Sequence, residues 1–353
     1  MAQLPADKKK STYYYNMDLV RYILALAVIV AHTNELTGNH IPFFITSFEA
    51  VGGFFALSGF LMYPNYLRHN NFWKYLRQRG RRIIPPYIFI VLLSAIFLVV
   101  ASTLPAGRYF TSSGFWEYLG ANLSFLNWLH PDLPGVFRGS RYVAAAVNGS
   151  LWTMKIEWCL YFSVPLFILL LRYLKRISNL TLTAVVILFS IGYRVLFTYI
   201  YQKTGVELYN ILSRQLMGQF SYFYFGMLVY FIKDFFTRNI LWMTLGGIAL
   251  LLLSRLSVFC SIILNPAAIT MLVMAISLMP YTLPALHHRN NVSYEMYLFH
   301  FPIIQFGIFL GIAQNNVWIE YLYVLSATIL LSIAVHTGME KMLKRRRDLL
   351  RFP

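Results

Sequence analysis

The stretch DLVRYILALAVIVAHTNE, Asp18 to Glu35, is apolar enough to cross a membrane, yet it carries Asp18 and Arg21 near one end and His32 and Glu35 near the other. An α-helix turns about 100° per residue, so the step from Arg21 to His32 returns to within roughly 20° of the same direction. Asp18 then lies about 60° to one side of that line and Glu35 about 40° to the other. The four groups share one stripe, and Arg21 and His32 are about 16 Å apart along the axis. Charged groups inside a span usually face the bundle interior or a water-filled cavity. The stripe therefore reads as the wall of a polar passage entered from the cytoplasm. A plainer reading stands beside it: a boundary salt bridge at i, i+3, with His32 and Glu35 at the opposite interface.

The rest of the chain supports the membrane setting. Of 353 residues, 58% are hydrophobic and only 12% charged, and a soluble domain carries roughly twice that charge. The net charge of +17 would suggest nucleic acid in a soluble protein. Here the basic residues cluster between apolar runs, which excludes nucleic acid as the partner and points to topology and lipid contact. Cys159 and Cys260 both lie in apolar segments, so neither a disulfide framework nor a metal site is expected. No cleavable leader is expected either, because the first span follows a Lys-rich start and has no small-residue cleavage site after it.

A spanning helix needs about 20 mostly apolar residues. Ten such stretches are predicted, at 17–36, 46–66, 84–104, 151–171, 180–200, 212–232, 239–257, 259–279, 292–313 and 318–338. The fold class is therefore all-α, a polytopic membrane helix bundle. With the N-terminus inside, most of the 30 Lys and Arg fall on the cytoplasmic side. Arg108, Arg138, Arg141, Lys203, Arg214 and Arg255 remain outside, and both termini are predicted to be cytoplasmic. The domain plan is a tail at 1–16, a membrane domain at 17–338 and a basic tail at 339–353. Segment 68–83 (RHNNFWKYLRQRGRRI) is predicted as a short interfacial helix leading into Pro85-Pro86, and 105–150 as the long outer loop.

Other polar residues fall within spans. Asn148 and Ser150 suit a helix start. Glu157 follows inside the membrane, with Thr153 and Tyr161 four residues to either side. It is a candidate general acid or base, or else one half of a structural pair with Lys155 or Arg194. Gly52, Gly53, Ser58 and Gly59 allow close helix packing, with ligand contact the second reading. Ser293, Tyr297 and His300 share a face. Arg77, Arg79, Arg81 and Arg82 are either topological charges or a phosphate cradle at the cytoplasmic mouth. His69 and His336 read as structural. His40, His130, His287 and His288 fall in loops and carry no metal-ligand spacing.

Taken together, these motifs resemble the acyltransferase-3 family of integral membrane O-acyltransferases. The likeness rests on Asp18, Arg21 and His32; on FFALSGFL from Phe54; on Arg79-Gly80-Arg81-Arg82 before Ile83-Ile84-Pro85-Pro86-Tyr87; on NGSLW from Asn148 with Glu157 and Tyr161; and on SYEMYLFHFPI from Ser293. Tyr22 stands where members often have Gly. The resemblance implies a bacterial inner-membrane, multi-pass enzyme with no tightly bound cofactor. It would move an acyl group, usually acetyl, from cytoplasmic acyl-coenzyme A to a hydroxyl of a glycan or lipid-linked saccharide. Members that carry an outer hydrolase-like domain differ from this chain, in which that domain is not expected.

On this reading Arg21, Asp18, Arg79, Arg82 and Ser58 hold the donor, whose arm follows the polar stripe. His32 is the general base, oriented or assisted by Glu157 or Glu35. Trp152 and Tyr297 line the acceptor side, with Asn148, Ser150 and Tyr161 in support. His300 donates to the thioester oxygen or braces the core. A transporter or flippase for a glycan or small anion would use the stripe as a substrate or proton path instead. A scaffold for a glycan-modifying complex is the third reading.

Overall fold

The computed structural model describes residues 14–39, 41–137, 146–280, 291–312 and 316–349, with side chains to residue 342. Lys8, Lys9, Lys10, His40, Arg138, Arg141, His287, His288 and Arg289 lie outside the described residues, as do 1–13 and 350–353 of the two tails. Among the described residues fourteen α-helices follow in order. They are α1 Asn16–Thr37, α2 Ser47–His69, α3 Phe72–Phe97, α4 Ala106–Thr111, α5 Ser113–Leu123, α6 Trp152–Tyr173 and α7 Asn179–Thr204. The chain continues with α8 Glu207–Arg214, α9 Leu216–Phe231, α10 Lys233–Arg238, α11 Ile240–Ser254, α12 Val258–Leu278, α13 Ser293–Phe309 and α14 Val317–Leu349. Among the described residues the sole β contact is an antiparallel bridge between Ser102 and Val136.

The stretches predicted to span coincide with helices over most of their lengths, but 212–232 is divided between α8 and α9, and 84–104 runs past the end of α3 at Phe97. Six segments are long and apolar enough to cross a membrane by length and composition: Asn16–Thr37, Phe72–Ala101, Gly149–Tyr173, Asn179–Thr204, Val258–Leu278 and Val317–Met342. Burial is inverted relative to a soluble fold. Leu188, Leu252, Leu322 and Leu330 point outward, while Asp18, Glu49, Gln219, His300 and Gln305 are buried. An apolar surround leaves polar side chains with partners only inside the bundle. The chain is a membrane protein.

Local chemistry sets the helix ends. Thr46 and Glu49 form a reciprocal capping box at the start of α2, satisfying two otherwise orphaned N–H groups. Asn71 caps α3, Ser178 caps α7 and Ser257 caps α12 through their side chains. Gly38 closes α1 in the left-handed conformation, with φ 75°.

Two expectations are corrected. Segment 68–83 is not a separate interfacial helix, because α3 starts at Phe72 and runs through Pro85 and Pro86. Each proline removes one intrahelical hydrogen bond, but Ile83, Pro86, Tyr87 and Ile90 are buried on one face, and that packing carries the helix across. The span expected from 212 begins at Leu216, since Gln215 is extended and separates α8 from α9. The described part of segment 105–150 is ordered against α3. Tyr87 donates to the Asn122 carbonyl at 2.7 Å and Tyr109 to that of Ala95 at 2.8 Å.

The centre is organised by close approach of α2 to α9. A Cβ at Gly59 would sit 1.8 Å from the Phe223 carbonyl oxygen, and one at Gly226 would sit 1.9 Å from that of Ala56. No side-chain adjustment relieves a clash with backbone, so these glycines are packing residues. Gly226→Ala should therefore lower stability by about 1–3 kcal/mol, read as an earlier thermal transition of the detergent-purified protein. Gly192→Ala on α7, where nothing lies within 4 Å of the added Cβ, should be neutral or stabilising. Equal melting of G226A and wild type would show that the two helices do not need this contact.

Candidate active site

The ends of α1, α2, α3 and α14 that carry basic residues meet the start of α13. Arg21 Nη1 donates to Asp18 Oδ1 at 2.8 Å, one helical turn away. Asn291 Nδ2 donates to the same carboxylate oxygen at 3.0 Å. Buried Asp18 therefore aims Arg21 and ties α1 to the approach of α13. Tyr22, which departs from the glycine common in the family resembled, accepts the Val292 N–H at 3.1 Å. It serves an orphan donor at the N-terminus of α13.

Arg79 and Arg82, three residues apart on α3, join Arg21 and Arg68 around a vestibule of about 380 Å³. Arg77 and Arg81 do not line it. The vestibule shares Arg21, Leu61, Met62, Arg79 and Arg82 with a narrower cavity of about 90 Å³ that reaches inward past Ser58 and Glu157 to Phe54, Thr153 and Tyr297. Glu157 accepts a hydrogen bond from the Tyr161 hydroxyl, and Arg82, Arg79 and Arg21 act on it electrostatically. It pairs with neither Lys155, which sits 5.9 Å over the Trp128 ring, nor Arg194, which lies against Phe48 and Tyr222. The carboxylate belongs to the arginine cluster.

His32 lies elsewhere. Its Nδ1 is 2.8 Å from His300 Nε2, with the ring planes only 8° apart. His300 Nδ1 is 3.3 Å from the Met296 carbonyl oxygen. These contacts fix the protons of the neutral pair. A carbonyl only accepts, so His300 Nδ1 carries the hydrogen and its Nε2 is a lone pair. His32 Nδ1 must then donate, which leaves His32 Nε2 unprotonated and basic. Phe301 abuts His32 edge-on at 5.5 Å between centroids. A Cβ at Gly149 would meet the Phe301 ring at 2.7 Å, so the glycine of NGSLW makes room for that ring.

The polar stripe on α1 is not an open passage. Asp18 and His32 both face α13, through Asn291 and His300. Between them Ala25 and Ile29 pack with Val292, Met296, Phe301 and Ile304. The stripe is a helix seam, polar at both ends and dry in the middle. The cavity runs beside it, and His32 is not among its lining residues. Phe54 and Tyr297, 6.0 Å apart, form the floor, and Tyr297 lies 5.9 Å from His300. Neither carboxylate expected to orient His32 bonds to it: Glu157 is on the cavity side, and exposed Glu35 accepts from Ser47 at 3.4 Å. His300 holds that place.

Asn148 and Ser150 act as a clamp. Asn148 Nδ2 donates to the Leu298 carbonyl at 2.8 Å, and its Oδ1 accepts from the Ser150 N–H and hydroxyl. Thr153 and Tyr297 share a 2.8 Å hydroxyl contact. These bonds pin the start of α6 to the turn of α13 that precedes His300. Trp152 is half-buried against the core. The sequence reading missed the Glu295–His336 pair, 2.7 Å apart. The signal was the glutamate of SYEMYLFHFP, which has no partner on its own helix.

No solved structure matches the chain. A protein named O-acetyl transferase from Shigella phage Sf6 is 27% identical over 149 residues, 41% of this chain and 43% of the relative. Nodulation protein 10 of Rhizobium leguminosarum bv. viciae is 25% identical over 184 residues, half of each chain. The chain thus spans about half the length of the curated relatives it matches. The match to the family described as "Acyltransferase domain" covers residues 14–337. Nearly the whole bundle, with the vestibule, the cavity and the histidine pair, is included, and the chain belongs to the acyltransferase-3 family.

Proposed function

We propose that the protein is a membrane O-acyltransferase that moves an acyl group, most simply acetyl, from cytoplasmic acyl-coenzyme A to a hydroxyl of an extracytoplasmic or lipid-linked glycan. The observation that carries this reading is an arginine-lined vestibule narrowing to a floor at Tyr297, against which His300 and then His32 are stacked. The acetyl group is supported by the likeness to the phage O-acetyl transferase. The glycan acceptor rests on the family likeness. The ten stretches predicted to span serve as transmembrane segments, with the arginine-rich end and both termini in the cytoplasm, in a bacterial inner membrane.

Arg21, Arg79, Arg82 and Arg68 hold the phosphates of the donor through bidentate, charge-assisted bonds. Asp18 and Glu157 aim those guanidiniums. The slender arm follows the cavity past Ser58, and Phe54 and Tyr297 move aside to admit the thioester to His32. His32 Nε2 takes the proton of the acceptor hydroxyl as its oxygen attacks the thioester carbonyl. The carbon–sulfur bond breaks, and the coenzyme A thiolate leaves and takes up the proton from His32. His300 keeps His32 in the tautomer this needs. Trp152 offers an aromatic face to the sugar. No resident cofactor takes part in these steps.

His32→Ala should reduce transfer by roughly 10²–10⁴-fold with coenzyme A binding and melting temperature retained, measured with labelled acetyl-coenzyme A in membranes. Turnover at the wild-type rate would remove His32 from the chemistry. The Arg79→Ala, Arg82→Ala double variant should raise the KM for the acyl donor by tenfold or more with little change in kcat. An unchanged KM would return both arginines to a topological role. His300→Gln, whose amide oxygen can accept from His32 Nδ1, should retain far more activity than His300→Ala. Equal losses in the two would rule out tautomer control.

A further inference from the structure

The vestibule has a wall that the donor reading leaves unexplained. Besides its arginines it is lined by Asn65 of α2 and His336 of α14. His336 Nδ1 is engaged at 2.7 Å by Glu295 Oε1, and Glu295 is itself 6% exposed. That contact fixes the ring and leaves Nε2 buried without a partner. Asn65 Oδ1 and Arg79 Nε, which belong to the same wall, are buried and unpartnered as well. A single orphaned polar atom is costly. Three of them, from α2, α3 and α14, around one cavity indicate a ligand that supplies the missing partners. Two of the three can act as donors beside four guanidiniums, which selects a phosphate ester or pyrophosphate. The third is an acceptor, which suits an amino or amide N–H on the same molecule.

We propose that His336, braced by Glu295, is a phosphate ligand of the acyl donor, with Asn65 accepting from a donor N–H next to it. This rests on the acyl-coenzyme A reading above. With a carboxylate on Nδ1 and a phosphate on Nε2, the ring binds as an imidazolium that donates through both nitrogens. Glu295 is a positioning residue: it sets the ring's orientation and neutralises its charge when the vestibule is empty. Because α14 closes the vestibule through His336, a bound phosphate also joins α14 to α3 across the cavity.

The test is calorimetric titration of the full-length protein in nanodiscs of zwitterionic lipid, with coenzyme A and with phosphate-free acetyl-pantetheine. His336→Ala should weaken coenzyme A binding about tenfold and leave acetyl-pantetheine binding unchanged. His336→Gln, which keeps an N–H near the Nε2 position, should recover part of the loss. Should His336→Ala fail to insert, Glu295→Gln keeps an acceptor for Nδ1, removes the charge, and should weaken coenzyme A binding several-fold. Wild-type coenzyme A affinity in the folded variants overturns the assignment while leaving the acyltransferase reading intact. Loss of an anionic-lipid effect on melting, with coenzyme A affinity unchanged, also overturns it, in favour of a lipid headgroup. A wild-type protein that does not bind coenzyme A at all overturns the donor reading, and this inference with it.

Discussion

The seam between α1 and α13 is the constraint on which the site depends. At one end Asn291 grips Asp18, which in turn aims Arg21; at the other His300 grips His32. The middle is apolar and dry. In an apolar surround a polar side chain has no water to fall back on, so each end of the seam has a deep preference for its own register. A shift of one helical turn would part Asp18 from Asn291 and His32 from His300 together. Leaving a buried polar group without its partner typically costs about 1–3 kcal/mol, so the pairs specify the register even where they add little net stability. The Asn148–Ser150 clamp fixes α13 from its other side. His300 is thereby held by two independent elements before it touches His32.

The charge balance at the vestibule follows from the same economy of partners. Arg21, Arg68, Arg79 and Arg82 line one space, with Asp18 and Glu157 beside them and Glu295 behind His336 on the same wall. Asp18 is committed to Arg21 and Asn291, Glu157 to the Tyr161 hydroxyl and Glu295 to His336. Asp18 orients Arg21, Glu157 acts on the cluster only through its field, and the three acids do not neutralise all of its charge. The surplus positive charge lies in a recess with low-dielectric walls, where its pull on an anion is stronger and less screened than at an open surface. Contrast the N-terminal end of α2, where buried Glu49 is enclosed by Arg255, Asn265 and the Thr46 N–H. Both oxygens of that group are engaged. Saturated charge marks structure; surplus charge beside a cavity marks a site.

Much of this was legible in the sequence, and what was not has a physical reason. Helix placement follows largely from hydropathy, whereas the family likeness, not spacing, singles out Arg79 and Arg82 from Arg77 and Arg81. The stripe on α1 was read with the correct geometry but given the wrong neighbour. Angular spacing shows that Asp18, Arg21 and His32 share a face, and it does not show what covers that face. Here α13 covers it, some 270 residues further along the chain. Partner choice failed for the same reason. Glu157 and Glu35 were reasonable orienters of His32 by residue type, whereas a second histidine was the neighbour. The continuity of α3 through Pro85-Pro86 was hidden because local propensity argues for a break, and tertiary packing of Ile83, Tyr87 and Ile90 overrides it.

The floor formed by Phe54 and Tyr297 gives the arrangement its direction. The arginine-lined vestibule and the histidine pair lie on opposite sides of it, yet α13 carries both Tyr297 and His300. The Tyr297 hydroxyl bonds to Thr153 and to the Ser150 carbonyl, the same α6 turn that clamps α13. Displacing the Tyr297 ring therefore loosens contacts that hold His300. On the mechanism proposed above, a thioester entering between Phe54 and Tyr297 would disturb the clamp in the same movement that brings it to His32. The packing of α13 thus couples the floor of the cavity to the histidine pair.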